Sequence, residues 1–267
     1  MPCLSRLLPA LALVAACAPA ASDPAASTGA HAATPGSDQR PDRAATGPII
    51  LELFTSQGCS SCPPADRVLA GLVRDGAIGD RAVVPLAFHV DYWNDLGWAD
   101  PFSRPAWSER QQAYAASFGD DQIYTPELVV GGHGHVLGSD RAAIRTRVLA
   151  TPTPSRLDAT ITWQPRVATI TATAPVGADV WVAVYEDGLT TTIARGENAG
   201  TLATGDHVVR RLERVAAAGR TATVDVALDP SWQRLGAVAF AQGKDRFVVA
   251  SRALDVRPAR TARPARP

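Results

Sequence analysis

The sequence predicts an α/β domain followed by a small, mostly antiparallel β domain of sandwich-like character. Three observations carry that expectation. In the first half, near-continuous apolar runs flank a helical pattern, as buried parallel strands flank a crossover helix. The segment Thr151-Pro-Thr-Pro154 then interrupts the chain. Beyond it, Thr- and Val-rich segments alternate with period two between turn signals.

The elements follow in order. Pro48 to Phe54 (PIILELF) is a β-rich run and Val83 to Val90 (VVPLAFHV) is another. Between them, Ala65 to Arg74 places Val68, Leu69, Leu72 and Val73 on one helical face, which makes a βαβ unit. A second helix is predicted from Pro105 to Ser117. Tyr124 to Val130 leads to a Gly-rich turn, a short strand at His135 to Leu137, and a helix from Ser139 to Ala150 with Ser139 as its cap. After the Thr-Pro break, strands are predicted at Leu157 to Trp163, Val167 to Ala174, Val180 to Tyr185, Thr221 to Leu228 and Leu235 to Gln242. About one helical turn is expected around Asp206 to Val215.

Both ends of the chain have a different character. Residues 1–17 (MPCLSRLLPALALVAAC) carry one positive charge, a short apolar run and then small residues, the pattern of an export signal. Val14-Ala15-Ala16-Cys17 resembles a lipobox, so Cys17 is the predicted lipidation site; the alternative is cleavage at a later A-x-A. Residues 18–47 form a Pro/Ala/Ser-rich tether and 257–267 a basic tail, neither apolar enough to fold. That leaves an α/β domain at 48–152 and a β-rich domain at 155–256. The full chain of 267 residues has 26 basic and 26 acidic side chains. A net charge of zero gives no reason to expect a nucleic-acid partner, and no apolar run is long enough to span a bilayer.

Of four cysteines, Cys3 leaves with the signal and Cys17 is assigned to lipid, so Cys59 and Cys62 remain. They stand in Gly58-Cys-Ser-Ser-Cys-Pro-Pro64, between the first strand and the first helix. A Cys-x-x-Cys spacing at a helix start brings two sulfurs within bonding reach where the helix dipole favours a thiolate. Cys59 would attack a substrate disulfide and Cys62 would resolve the mixed disulfide. Other readings stay open: a structural disulfide, a zinc site, which lacks a second ligand pair, and copper held by Cys59, Cys62 and His89. Downstream, Thr125-Pro126 precedes an apolar run. A cis peptide there would set its loop beside a strand-helix site.

A Cys-x-x-Cys at the first helix with an X-Pro before a later strand is the thioredoxin-fold constellation. The chain resembles a bacterial secreted, thioredoxin-like family known as domain of unknown function 1223, related in layout to a group of outer-membrane lipoproteins. The resemblance rests on ELFTSQGCSSCPPAD (Glu52 to Asp66), AFHVDYW, LGWADPFS, ERQQAYA, YTPELVV, VLGSDRAAI and RGENAGTLATGDHVVRRL (Arg195 to Leu212). It implies an α/β thioredoxin-like domain followed by the small β domain. Departures matter: Ser60-Ser61 offers no His to the thiolate, and Pro63-Pro64 would delay the helix start by a residue or two.

Around the pair, Glu52 is a candidate proton relay to Cys62 and His89 a candidate base or metal ligand, each with a structural alternative. Thr125, Tyr92 and Trp93 are candidate substrate contacts. His133, His135 and His207 are expected in turns or packing. The expectation is an exported thiol-disulfide oxidoreductase on the periplasmic face of the bacterial envelope. It would be lipid-anchored, in the outer membrane rather than the inner, and act on protein thiols and disulfides without organic cofactor or metal. The alternatives are a copper metallochaperone and a non-catalytic binding scaffold.

Overall fold

A computed structural model describes residues 45–257. The export segment with Cys3 and Cys17, the tether up to residue 44 and the tail beyond Arg257 lie outside the described residues. The first half runs β1 (Ile49–Thr55), α1 (Pro63–Asp75), β2 (Ala77–Ile78), β3 (Arg81–His89), α2 (Pro105–Phe118), β4 (Glu127–Val130), β5 (His135–Leu137) and α3 (Arg141–Ala150). The second half is all strand among the described residues: β6 (Ser155–Arg156), β7 (Ala159–Trp163), β8 (Val167–Thr173), β9 (Ala178–Glu186), β10 (Leu189–Thr192), β11 (Leu202–Gly205), β12 (Val208–Ala216), β13 (Thr221–Ala227), β14 (Leu235–Gly243) and β15 (Val248–Ala253).

The strand pairing corrects the predicted fold class. An α/β thioredoxin-like domain with a small separate β domain requires two sheets, whereas a single ten-stranded mixed sheet runs through both halves. Its order is β5-β4-β1-β3-β12-β9-β14-β15-β6, with β2 attached to β3. The junction is β12, which lies parallel to β3 at Val208 and Ala87 and antiparallel to β9 along its length. With three α-helices against fifteen strands among the described residues, the molecule is mostly β. A three-stranded sheet, β13-β8-β7, and the β10-β11 hairpin complete it.

Strand alternation divides the core by face. Leu51 and Leu53 of β1 pack with Ala65, Val68 and Leu69 of α1 and with Ile144 and Val148 of α3. Ile50 and Phe54, on the other face, pack with Phe88, Trp107 and Tyr114 beneath α2, and this cluster continues to Tyr185 and Phe240. Val180, Val182 and Val184 of β9 point away from that cluster, toward Ala168 and Ile170 of β8.

Two local differences from the sequence expectation have clear causes. The segment expected to hold a helical turn is the nine-residue strand β12. Its apolar residues Val208, Val209, Leu212, Val215 and Ala216 fall at helical spacing because bulges at Val209/Arg211 and Arg214/Ala216 reset the alternation twice. Asp140, not Ser139, caps α3, its carboxylate accepting from the amides of Ala142 and Ala143 at 3.0 and 2.9 Å.

Candidate functional site

The chain leaves β1 at Thr55 and turns twice before α1. The Cys59 amide donates to the Ser56 carbonyl at 3.2 Å and the Cys62 amide to the Cys59 carbonyl at 3.3 Å. Cys62 is the N-cap of α1 with helical backbone angles, and Pro63 and Pro64 occupy the first turn. A proline there loses no hydrogen bond, since the first helical amides have no partner in the helix. The prolines therefore leave Cys62 in helical geometry, and the helix begins at Pro63, four residues after Cys59. The two sulfurs form a disulfide across a Cα separation of 5.4 Å, and both cysteines are fully buried.

Two hydroxyls converge on the Cys59 sulfur, one of them held by Trp93. The Trp93 indole N–H donates to the Thr125 hydroxyl at 2.9 Å, and that hydroxyl donates to Cys59 Sγ at 3.3 Å. Because indole is a donor only, it occupies a lone pair of Thr125 and leaves the hydroxyl proton for the sulfur. The Ser61 hydroxyl stands 3.3 Å from the same sulfur and 3.3 Å from the Thr125 carbonyl. Thr125-Pro126 is a cis peptide. Trp93 packs over Gly58, where an added Cβ would come within 3.2 Å of the Trp93 Cβ. Tyr92 donates to Gln111 at 3.1 Å, and burial pushes its phenol up to about 12.

On the other flank lies a buried ionic group. His89 Nδ1 donates to Asp100 at 2.7 Å, and the same carboxylate accepts from the Gln57 amide at 2.7 Å and the Phe102 amide at 2.9 Å. Burial alone would lower His89, but the charge and hydrogen bond of Asp100, aided by Asp66, raise it above its ordinary value. Burial opposes the charged form of Asp100 too; His89 and the two amides outweigh it and hold the carboxyl low. Asp66 accepts from Thr55 Oγ1 at 2.8 Å. Burial drives its pKa up to about 6, against the pull of His89 and the Thr55 hydroxyl. Asp66 is one helical turn after Cys62, its amide donating to the Cys62 carbonyl at 3.1 Å, so the two side chains share a helix face. Asp66, His89 and Gln57 line a cavity of about 20 Å³, large enough for one water.

The second half of the chain closes the site. Asn198 Nδ2 donates to the carbonyls of Gln57 and Cys59, both at 2.9 Å. Glu197 accepts from the Ser60 amide at 3.3 Å, and Trp98 donates to the Gln57 side chain at 3.1 Å. Gly196, in the left-handed region, abuts Gly97 and Trp98 so closely that a Cβ would meet Trp98 at 3.1 Å. Sequence reasoning quoted this segment as a motif without giving Glu197 or Asn198 a role. The signal was an Asn between glycines, whose amide group can serve two carbonyls at once.

The structure thus gathers Cys59, Cys62, Thr125, Pro126 and Trp93, with Tyr92 at the margin. Glu52 is not with them. It accepts from Arg110 at 2.5 and 2.8 Å and from Tyr114 at 2.5 Å, on the face of β1 opposite α1. A relay from Glu52 to Cys62 would have to cross the sheet; Asp66 is the carboxyl on the correct side. His89 is committed to Asp100, and among the described residues no group of three His, Cys, Asp or Glu side chains comes together as a metal would require. His133 stacks on Phe247, His135 faces Asp120 and Glu127, and His207 bonds the Pro85 carbonyl. Among the described residues, no helix is long and apolar enough to cross a membrane.

The family model described as "Protein of unknown function (DUF1223)" matches residues 50–242. An X-ray crystal structure of a protein from Agrobacterium tumefaciens, a structural-genomics target, is similar at 28% identity and a TM-score of 0.61. The match covers 82% of this chain and 98% of that one. No curated protein matches the chain.

Proposed function

The chain belongs to the DUF1223 family, and we propose that it is a thiol-disulfide oxidoreductase working through Cys59 and Cys62. The observation that carries this reading is the Trp93–Thr125–Cys59 chain of donors at the start of α1. A hydroxyl oriented onto a sulfur favours its thiolate form, and the helix N-terminus acts in the same direction. A disulfide that merely joins two segments has no need of such a donor.

In the reduced protein, the Cys59 thiolate attacks one sulfur of a substrate disulfide and expels the other as a thiolate. Cys62, deprotonated, then attacks Cys59 in the mixed disulfide and releases the second substrate thiolate. Two electrons pass from the protein dithiol to the substrate, and the protein is left as the observed disulfide. Asp66, on the helix face of Cys62 and titrating near 6, accepts the Cys62 proton. The run backward oxidises a substrate dithiol. The cysteines hold the electrons, so the step uses no further cofactor. Given the export signal, the partners are protein thiols and disulfides of the bacterial envelope, with Cys17 as the lipid anchor.

The test is trapping. Reduced Cys62→Ser protein exposed to glutathione disulfide should accumulate a mixed disulfide on Cys59, seen by intact-mass spectrometry. If Cys59→Ser protein is glutathionylated at Cys62 as readily, the assigned order of attack is wrong. If neither variant reacts faster than an unstructured thiol, exchange is not the function. Full burial of both cysteines favours a second reading, in which the disulfide only fixes the shape of the loop that Asn198 binds. That reading predicts no reaction in either variant.

A further inference from the structure

Beside this site, one turn of chain beyond Asp100, two arginines meet two aromatic rings and a third arginine lies near them. Arg210 sits at the first bulge of β12, between Val209 and Arg211, where strict alternation would send consecutive side chains to opposite faces. The bulge brings both onto one side. The guanidinium carbons of Arg210 and Arg211 each lie 4.9 Å from the Trp232 ring centroid, and that of Arg210 also lies 5.1 Å from Phe102. Arg104, whose backbone amide bonds the His89 carbonyl at 3.1 Å, lies close enough to repel the charges of Arg210 and Arg211 and completes the group.

The rings satisfy the flat faces of the guanidinia but not their edges. Nε and Nη1 of Arg210 are buried and have no hydrogen-bond partner among the described residues. Glu186, the carboxylate nearest Arg210, is 3.7 Å from Nη1, beyond hydrogen-bond reach, and already accepts from the Gln233 amide at 2.7 Å. Asp229 is engaged by the Ser231 amide and hydroxyl at 2.8 and 2.7 Å. Buried donors of this kind are rarely left unpaired in native proteins. Three cations against two acids, both already engaged, leave an excess of positive charge at a partly open surface.

We infer that Arg104, Arg210 and Arg211, walled by Phe102 and Trp232, form a binding site for an oxyanion group, a phosphate or a carboxylate. Guanidinium edges match the oxygens of such groups two at a time, which an ammonium could not do. Burial holds both Arg104 and Arg210 below the usual guanidinium range; Arg211 adds to this at Arg104, and at Arg210 the pull of Glu186 opposes burial while Arg104 and Arg211 reinforce it. A bound anion relieves that repulsion. The inference is independent of the exchange chemistry at Cys59.

The test uses the purified full chain and isothermal titration calorimetry, with Trp fluorescence, to which Trp232 is one of six contributors, as a second readout. Inorganic phosphate and acetate are titrated separately at constant ionic strength, and vesicles of phosphatidylglycerol are compared with vesicles of phosphatidylcholine. Saturable one-to-one binding of phosphate or acetate, weakened about tenfold or more in Arg210→Gln, is the expected result. Binding confined to phosphatidylglycerol vesicles, and lost in the variant, identifies the oxyanion as a lipid headgroup. Should Arg210→Gln fail to fold, Arg104→Gln on the adjoining loop decides by the same loss. Absence of saturable binding to every probe, or unchanged binding in both variants, overturns the inference.

Discussion

At the scale of single residues, the site is governed by which of two buried carboxyls stands beside the cysteines. Glu52 looked suitable because it is an acid in an otherwise apolar strand, and one residue of alternation decides against it. Ile50 and Phe54, its neighbours of the same parity, face α2, so Glu52 meets Arg110 there. Asp66 was quoted only as the end of a motif, yet its spacing of four from Cys62 was visible in the sequence. Its buried setting was not, because the groups that surround it come from β1, β3 and the loop at Asp100. The consequence is measurable. Burial raises Asp66 from 3.8 to about 6, so the folded state holds this proton more tightly than the unfolded chain does. Its ionisation therefore costs stability progressively as pH rises from about 4 to about 6, and the full cost is present above that window. Asp66→Asn keeps an acceptor for Thr55 and removes the charge. At pH 8 it should be more stable than the parent chain by about 1–3 kcal/mol, and the difference should vanish below pH 4. Denaturant titrations at the two pH values check this, and an equal difference at both would remove Asp66 as a strained acid.

At the scale of elements, the segment of residues 195–200 matters as much as α1. Both cysteines are fully buried, so a thiol reaches Cys59 only through local opening, and this segment is bonded to the loop that must open. Asn198 closes it with two hydrogen bonds to main-chain carbonyls. Asn198→Ala removes both and lowers the cost of local opening by about 1–3 kcal/mol. Reduction of the disulfide by dithiothreitol should then be about tenfold faster, followed by quenching and thiol counting. An unchanged rate would show that access is controlled elsewhere. This segment also shows where reading the sequence stops. The helix α1 was legible because its apolar residues repeat with the helical period, and the strands β1 and β3 because they are near-continuous apolar runs. The strand β12 was not, since its two bulges give apolar residues a helical spacing. Nor could any local pattern pair Asn198 with a loop some 140 residues earlier. What was legible of the site was its continuous part, Gly58 to Pro64, together with Thr125 and Trp93 as separate candidate contacts; the hydrogen bonds that join those two to Cys59 were not.

At the scale of the molecule, one sheet explains why the site is assembled from both halves. The Thr-Pro break at Thr151 to Pro154 marks a change in composition, not a break in the sheet, because β12 returns to lie against β3. That return sets the start of β12 beside the end of β3. The segment of residues 195–200 and the arginines of the bulge consequently reach the loops that leave the sheet near Thr55 and His89. The cysteine loop is thereby fixed from two sides, by Thr125 from the first half and Asn198 from the second. A disulfide in such a setting is either exchanged through opening of the second half or is a permanent brace of the loop on which the second half closes. The reduction potential separates these most directly. Equilibrating the purified protein with glutathione buffers and trapping its thiols should give a midpoint between about −270 and −120 mV, where exchanging pairs lie. A pair that stays oxidised below about −300 mV would contradict exchange and identify a staple.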